Sequence, residues 1–303
     1  MSQVSKKYLV CIIGPTAVGK TTLSIELAKW YNTEIISADS RQLFKELTIG
    51  TAKPLPQEQR GIRHHFIDSH SISDYFSAGI FEREASEILK ELFKRNDRVV
   101  LCGGTGLYVQ ALINGLDSIP EVDPSVRLNL EDELQKHGLE ALVERLSTFD
   151  PSALDTIDVH NPRRVLRALE VFYSTGLPIT AYQKGEKKKL DYIPILIGLT
   201  LPREELYQRI DQRMELMLER GLEDEVRQCL PYRTLNALQT VGYKEVFDYF
   251  DGNYSREEMI RLLKRNSRHY AKRQLTWFRR MEGLQWFHPQ EIEKIKQYIE
   301  SFQ

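Results

Sequence analysis

Eight consecutive residues, Gly14-Pro15-Thr16-Ala17-Val18-Gly19-Lys20-Thr21, constrain this chain more than any others. They fit the phosphate-loop pattern G-x-x-x-x-G-K-[ST] without departure. The flanks are the ones this pattern needs. Tyr8 to Ile13 is a short apolar run, which predicts a buried parallel strand. Thr22 to Ala28 carries apolar residues at helical spacing. The loop therefore joins a strand to a helix N-terminus, where unpaired N–H groups and the positive end of the helix dipole hold an anion. Gly14 and Gly19 let the backbone wrap closely, Lys20 meets phosphate oxygens, and Thr21 can hold Mg²⁺. Such a loop specifies a phosphate chain and leaves open which molecule carries it.

The rest of the 303 residues predicts an α/β core with a helical interruption. Thr33 to Ser40 reads as a second strand ending in polar residues, and Arg98 to Cys102 as a third. Ligand crevices in open α/β sheets lie at the carboxyl ends of the strands. Asp39 thus falls near the phosphate loop, where it can hold Mg²⁺, accept a proton or cap the next helix. Gly103-Gly104-Thr105-Gly106 follows the third strand at the same edge, and its glycines admit a ligand or another backbone. His64 and His65 are adjacent, face different ways, and read as hydrogen-bonding loop residues. From 116 to 191 the chain is polar and helical, with Asp123-Pro124, Asp150-Pro151 and Asn161-Pro162 as helix starts. Pro194 to Leu199 returns to a strand. The expected organisation is a phosphate-loop core from 1–115 and 192–303, interrupted by a helical insertion at 116–191.

The formal net charge of -1 predicts no general attraction to nucleic acid, so any basic surface must be local. Between Arg261 and Arg280 there are Lys264, Arg265, Arg268, Lys272, Arg273 and Arg279, with no acidic residue and with His269, Tyr270, Trp277 and Phe278 interleaved. That is a nucleic-acid footprint. Smaller basic clusters are Arg163-Arg164-x-x-Arg167 and Lys184-x-x-Lys187-Lys188-Lys189. Cys11, Cys102 and Cys229 are far apart, without a C-x-x-C, which predicts a reducing compartment and neither a zinc site nor disulfides. The N-terminal apolar run is too short for a signal peptide or membrane span, so a cytoplasmic chain without a membrane is expected. On these residues alone, a small-metabolite kinase, a nucleotide-gated RNA-binding switch and an enzyme acting on RNA remain open. The last uses both the loop and the basic clusters.

Gly14-Pro-Thr-Ala-x-Gly-Lys-Thr21, Ser37-x-Asp39-Ser40, Gly50-Thr-Ala-Lys-Pro54, Gly103-Gly-Thr-Gly-Leu-Tyr108, Asn161-Pro-x-Arg164, Val241-Gly-Tyr243 and Tyr270-Ala-Lys-Arg-Gln274-x-x-Trp-Phe-Arg279 together resemble the bacterial tRNA dimethylallyltransferases, the IPP transferase family. The likeness runs from about residue 9 to 280. Phe44 departs from it, standing where the family commonly has tyrosine.

The resemblance implies a P-loop NTPase-like fold, and transfer of a dimethylallyl group from its diphosphate to the exocyclic amine of the adenine 3′ of the anticodon. Gly14 to Thr21, named residue by residue above, would hold the diphosphate with Mg²⁺ on Thr21. Asp39 would be the general base, Thr105 a hydrogen-bond donor to the leaving diphosphate, and Arg213 the neutraliser of its charge. The tRNA path would be lined by Asp39, Ser40, Arg41, Gln42, Thr105, Arg127, Arg163, Arg164, Val165, Leu166, Arg167, Gln239, Thr240, Val241, Gly242, Tyr243 and Lys244. The basic C-terminal helix would add Arg268 and Lys272. The partner would be the tRNA anticodon stem-loop, and a monomer is expected.

Overall fold

The apolar runs pair into a single parallel sheet. The computed structural model describes residues 6–117, 119–120, 122–183, 185 and 188–302; Lys184 and Lys187 of the lysine cluster lie outside the described residues. The strands are β1 (Tyr8–Ile13), β2 (Ile35–Ala38), β3 (His64–His65), β4 (Arg98–Gly103), β5 (Ile193–Leu199) and β6 (Gln285–Phe287). They lie in the order β3-β2-β4-β1-β5-β6 with every pairing parallel. β1 is buried along its whole length between β4 and β5. A strand covered on both faces must be apolar at every position, which is why it reads as a continuous run. Two strands differ from the sequence expectation. The histidine pair forms an edge strand and not a loop, and β6 had no signal, because strands of two and three residues show no period.

The chain divides into two compact units, residues 1–114 with 189–303 and residues 115–188. The first contains the sheet with α1 (Lys20–Trp30), α2 (Ala78–Phe93) and α3 (Gly106–Asn114). The second holds α4 (Pro124–Phe149), α5 (Ala153–Thr156) and α6 (Pro162–Thr175). The first unit then resumes with α7 (Arg203–Glu219), α8 (Leu222–Gln228), α9 (Tyr243–Phe250), α10 (Arg256–Phe278) and α11 (Ile292–Glu300). The pleat sends alternate residues to opposite faces. Val10, Ile12, Ile35 and Val100 pack with Leu23 and Leu27 of α1 and with Ile295 and Ile299 of α11. Leu9, Cys11, Ile36 and Leu101 pack with Phe81 and Leu89 of α2 and with Leu263 and Phe278 of α10. The return to the sheet is anchored by Tyr192, whose hydroxyl donates to the Leu112 carbonyl at 2.9 Å and whose ring meets Phe93.

The second unit has its own core of Leu130, Leu142, Leu146, Val165, Leu166 and Leu169. The Asp123 and Asn161 side chains cap α4 and α6, accepting from the N–H groups of Ser125 and Arg163. Gly138 sits within α4 at φ 78° and breaks its helical path. Among the described residues no helix is long and apolar enough to cross a membrane, and the three cysteines are free thiols.

The sheet places the site by register. Ile13 and Ala38 both align with Gly103. The segments leaving β1, β2 and β4, which begin with Gly14, Asp39 and Gly104, therefore emerge side by side at the carboxyl edge.

Candidate active site

Gly14 to Thr21 wraps the start of α1. A Cβ on Gly14 would stand 2.7 Å from the Leu199 carbonyl oxygen, so only glycine lets the loop pass β5. Ala17 and Gly19 have positive φ, 64° and 103°, in a loop whose amides can form a concave nest for an anion. Val18 is buried and pins the loop to the core. Thr16, Ala17, Gly19, Lys20 and Thr21 line a cavity of about 310 Å³, within the range of small-molecule sites. The Lys20 ammonium donates to the Pro15 carbonyl at 2.7 Å. Burial pulls its pKa down to about 8, and Arg213 pushes the same way against Cys102 and Asp39.

Asp39 follows β2 into this cavity. Its Oδ1 accepts from the N–H groups of Arg41 at 2.9 Å and Gln42 at 3.3 Å. The carboxylate thus caps a turn, one of the roles open to it, while Oδ2 accepts no hydrogen bond among the described residues. Arg213, on α7, donates from one terminal nitrogen to the Thr51 carbonyl at 3.3 Å. Its Nε is buried without a partner among the described residues. Burial lowers the pKa of this guanidinium, with Asp39 and Tyr270 opposing. A buried donor with no acceptor is costly unless a ligand supplies one. Lys20, Arg213 and the loop amides therefore make a concave, cationic site with donors to spare.

Thr105 differs from its expected role. Its hydroxyl accepts from the Ser40 N–H at 3.0 Å and donates to Ser40 Oγ at 3.3 Å, and it is absent from the cavity lining. It fixes the turn that carries Asp39. The glycines around it make room for protein and not for a ligand. A Cβ on Gly103 would lie 2.1 Å from the Ala38 oxygen, and one on Gly106 would lie 2.2 Å from the Trp277 ring.

Further side chains complete the wall. Arg41, Gln42, Gly50, Thr51, Thr240, Val241 and Gly242 line the cavity. Tyr243 does not. It is fully buried under Gly50, and its hydroxyl donates to Glu225 at 2.6 Å. The other Glu225 contacts are with the amides of Thr48, Ile49 and Gly50, so the pair locks that loop in place. Gln239 donates to the Arg233 carbonyl and Lys244 is exposed. Gln274 on α10 has no counterpart among the expected site residues. Its Oε1 accepts from the Thr16 N–H at 2.9 Å and its Nε2 donates to the Gly104 carbonyl at 2.9 Å. One amide thereby ties the phosphate loop to the end of β4. The signal was faint: a polar residue at a helix position that turns out to be buried.

The basic clusters are only partly free. Arg261 pairs with Glu258, Lys264 with Glu215, and Arg268 with both carboxylate oxygens of Asp211. Arg268 is thus already neutralised, contrary to the open footprint read from the sequence. The acidic partners are on α7 or in the first turn of α10, outside the stretch that looked purely basic. His269, Lys272, Arg273, Thr276, Trp277 and Arg280 share an exposed groove along α10. Lys272 and Arg280 form no ion pair among the described residues. In the second unit Arg127 bonds Glu131 and Glu170, and Arg167 reaches Glu170 at 3.4 Å. Arg163 and Arg164 are exposed. Val165 and Leu166 are core residues of that unit, so neither side chain is available to RNA.

The sequence pattern of the IPP transferase family matches residues 42–281. A tRNA dimethylallyltransferase of Cytophaga hutchinsonii is 54% identical over 295 residues, 97% of each chain. Among solved structures, the full-length tRNA isopentenylpyrophosphate transferase of Bacillus halodurans superposes with a TM-score of 0.71 at 42% identity, covering 98% of this chain and 96% of its own. A eukaryotic dimethylallyltransferase captured acting on tRNA superposes with a TM-score of 0.80 at 28% identity, covering 98% of this chain and 77% of its own.

Proposed function

This chain belongs to the IPP transferase family, and on that premise we propose that it transfers a dimethylallyl group from dimethylallyl diphosphate to N6 of the adenine 3′ of the anticodon in tRNA. The observation that carries the reading is that Lys20, Arg213 and Asp39 line one cavity, two cations beside a carboxylate. A diphosphate leaving group matches the two cations, and the carboxylate beside them supplies a base. In the reaction the allylic carbon–oxygen bond breaks and its electron pair stays on the diphosphate. The N6 lone pair forms the new carbon–nitrogen bond, and the N6 proton passes to Asp39. Adenine N6 is a weak nucleophile because its lone pair is delocalised, so removal of that proton matters. Lys20, Arg213 and the loop amides stabilise charge as it develops on the leaving oxygen. The adenine leaves its stack to reach the cavity.

The residues also fit Mg²⁺. Thr21 brings a hydroxyl, a hard oxygen donor, to the cavity. Among the described residues no cluster of His, Cys, Asp and Glu forms a metal site by itself. The metal would be held by Thr21 and by the diphosphate's own oxygens, and would neutralise charge on the leaving group. A tRNA substrate is the ground on which we propose a cytoplasmic enzyme.

The direct test is incubation of the protein with Mg²⁺, dimethylallyl diphosphate and unmodified tRNA. One prenyl mass on the anticodon-loop adenine is expected by nuclease digestion and mass spectrometry. No mass gain together with ATP consumption on a small acceptor would instead indicate a kinase.

The α10 groove is the part of the basic stripe left for tRNA phosphates. Replacing Lys272 and Arg280 with alanine is expected to weaken tRNA binding. The slope of log affinity against log salt should flatten by about 0.7–0.9 per residue. Arg268→Ala is expected to leave that slope unchanged, because Asp211 already holds its charge. Equal slopes in all three proteins would remove the groove from the interface.

A further inference from the structure

We infer that Tyr270 is a further catalytic residue, whose phenol hydroxyl donates a hydrogen bond to the diphosphate as the allylic carbon–oxygen bond breaks. This rests on the reading of the site as a prenyl diphosphate site. Ser267, Tyr270 and Gln274 recur on one face of α10 and all three line the cavity. The two neighbours of Tyr270 on that face are already committed. Ser267 donates to Met214 Sδ at 3.3 Å, and both ends of the Gln274 amide are bound. The Tyr270 hydroxyl has no hydrogen-bond partner among the described residues. It is the donor that this face of the helix leaves unused.

The surroundings suit a donor. The Arg273 guanidinium lies over the Tyr270 ring, 5.8 Å from its centroid. The charged groups that act on the phenol are Asp39, Arg41, Arg273 and Arg213, which include the base and the guanidinium assigned to the leaving group. Burial, followed by Asp39, raises the phenol pKa far above neutrality, so the proton stays on the oxygen at any working pH. Thr105, the residue expected to make this bond, has its hydroxyl engaged by Ser40.

The chemical balance of the step is unchanged by this role. The carbon–oxygen pair goes to the diphosphate, the N6 proton goes to Asp39, and Tyr270 keeps its own proton while its hydrogen bond shortens toward the charged oxygen. A donor aimed at charge that exists mainly in the transition state raises kcat more than it lowers KM.

Tyr270→Phe keeps the ring and removes only the donor. The expected result is a fall of about 10²-fold in kcat, with the KM for dimethylallyl diphosphate and the tRNA affinity changed by less than about threefold, an effect near 0.65 kcal/mol. A second variant carries 3-fluorotyrosine at position 270, a more acidic and therefore stronger donor. Its kcat at neutral pH is expected to equal or exceed that of the unmodified protein. Turnover by Tyr270→Phe equal to the unmodified protein would overturn the inference. So would a parallel loss of kcat and tRNA affinity, or fluorotyrosine turnover as low as that of the phenylalanine variant. Failure of the unmodified protein to prenylate tRNA at all would instead overturn the reading of the site itself.

Discussion

Asp39→Asn is expected to lower dimethylallyl transfer by about 10²- to 10⁴-fold while leaving tRNA affinity unchanged. The structure separates the two jobs of this side chain. Oδ1 accepts from the amides of Arg41 and Gln42, and an asparagine carbonyl oxygen accepts from the same two amides. The turn bearing Ser40, Arg41 and Gln42 is therefore preserved. What asparagine cannot do is take a proton from the adenine amine. Single-turnover rates at saturating tRNA, read beside equilibrium tRNA binding, check the claim. If binding fell as far as turnover, Asp39 would be a holding group and not a base.

Arg213→Met is expected to lower kcat by about 10²- to 10³-fold and to weaken binding of inorganic diphosphate. The melting temperature of the ligand-free protein should stay the same or rise. The second expectation is the more discriminating one. The guanidinium Nε is buried without an acceptor, and the group's one hydrogen bond among the described residues is a 3.3 Å bond to the Thr51 carbonyl. Such a donor destabilises the ligand-free fold, and methionine fills similar space without it. A site residue that costs stability and a structural residue that supplies it thus predict opposite shifts. Calorimetry with diphosphate and a melting curve without it decide between them. Unchanged diphosphate affinity would remove Arg213 from the anion site.

The local patterns were legible. The phosphate loop, the strands β1, β2, β4 and β5, and the position of Asp39 at the strand ends follow from apolar runs and punctuation a few residues long. The motifs resembling the IPP transferases were legible for the same reason, and the family match stands with them. Pairings across the chain were not legible. Gln274 reaches Thr16 from 258 positions away. Tyr243, at the mouth of a segment expected to face tRNA, turns inward to Glu225 and Gly50. The stripe on α10 looked free because Asp211 and Glu215 lie on another helix.

By itself, then, the chain of residues determined which segments could be strands and helices and where an anion would bind, because periodicity and loop geometry are properties of neighbours in sequence. Tertiary structure alone decided which polar groups were left over. Each buried donor or charge seeks whatever partner the fold brings near. Whether Thr105, Tyr243 and Arg268 are spent inside the protein, or Tyr270 and Arg213 are left facing the cavity, depends on contacts that no local window contains.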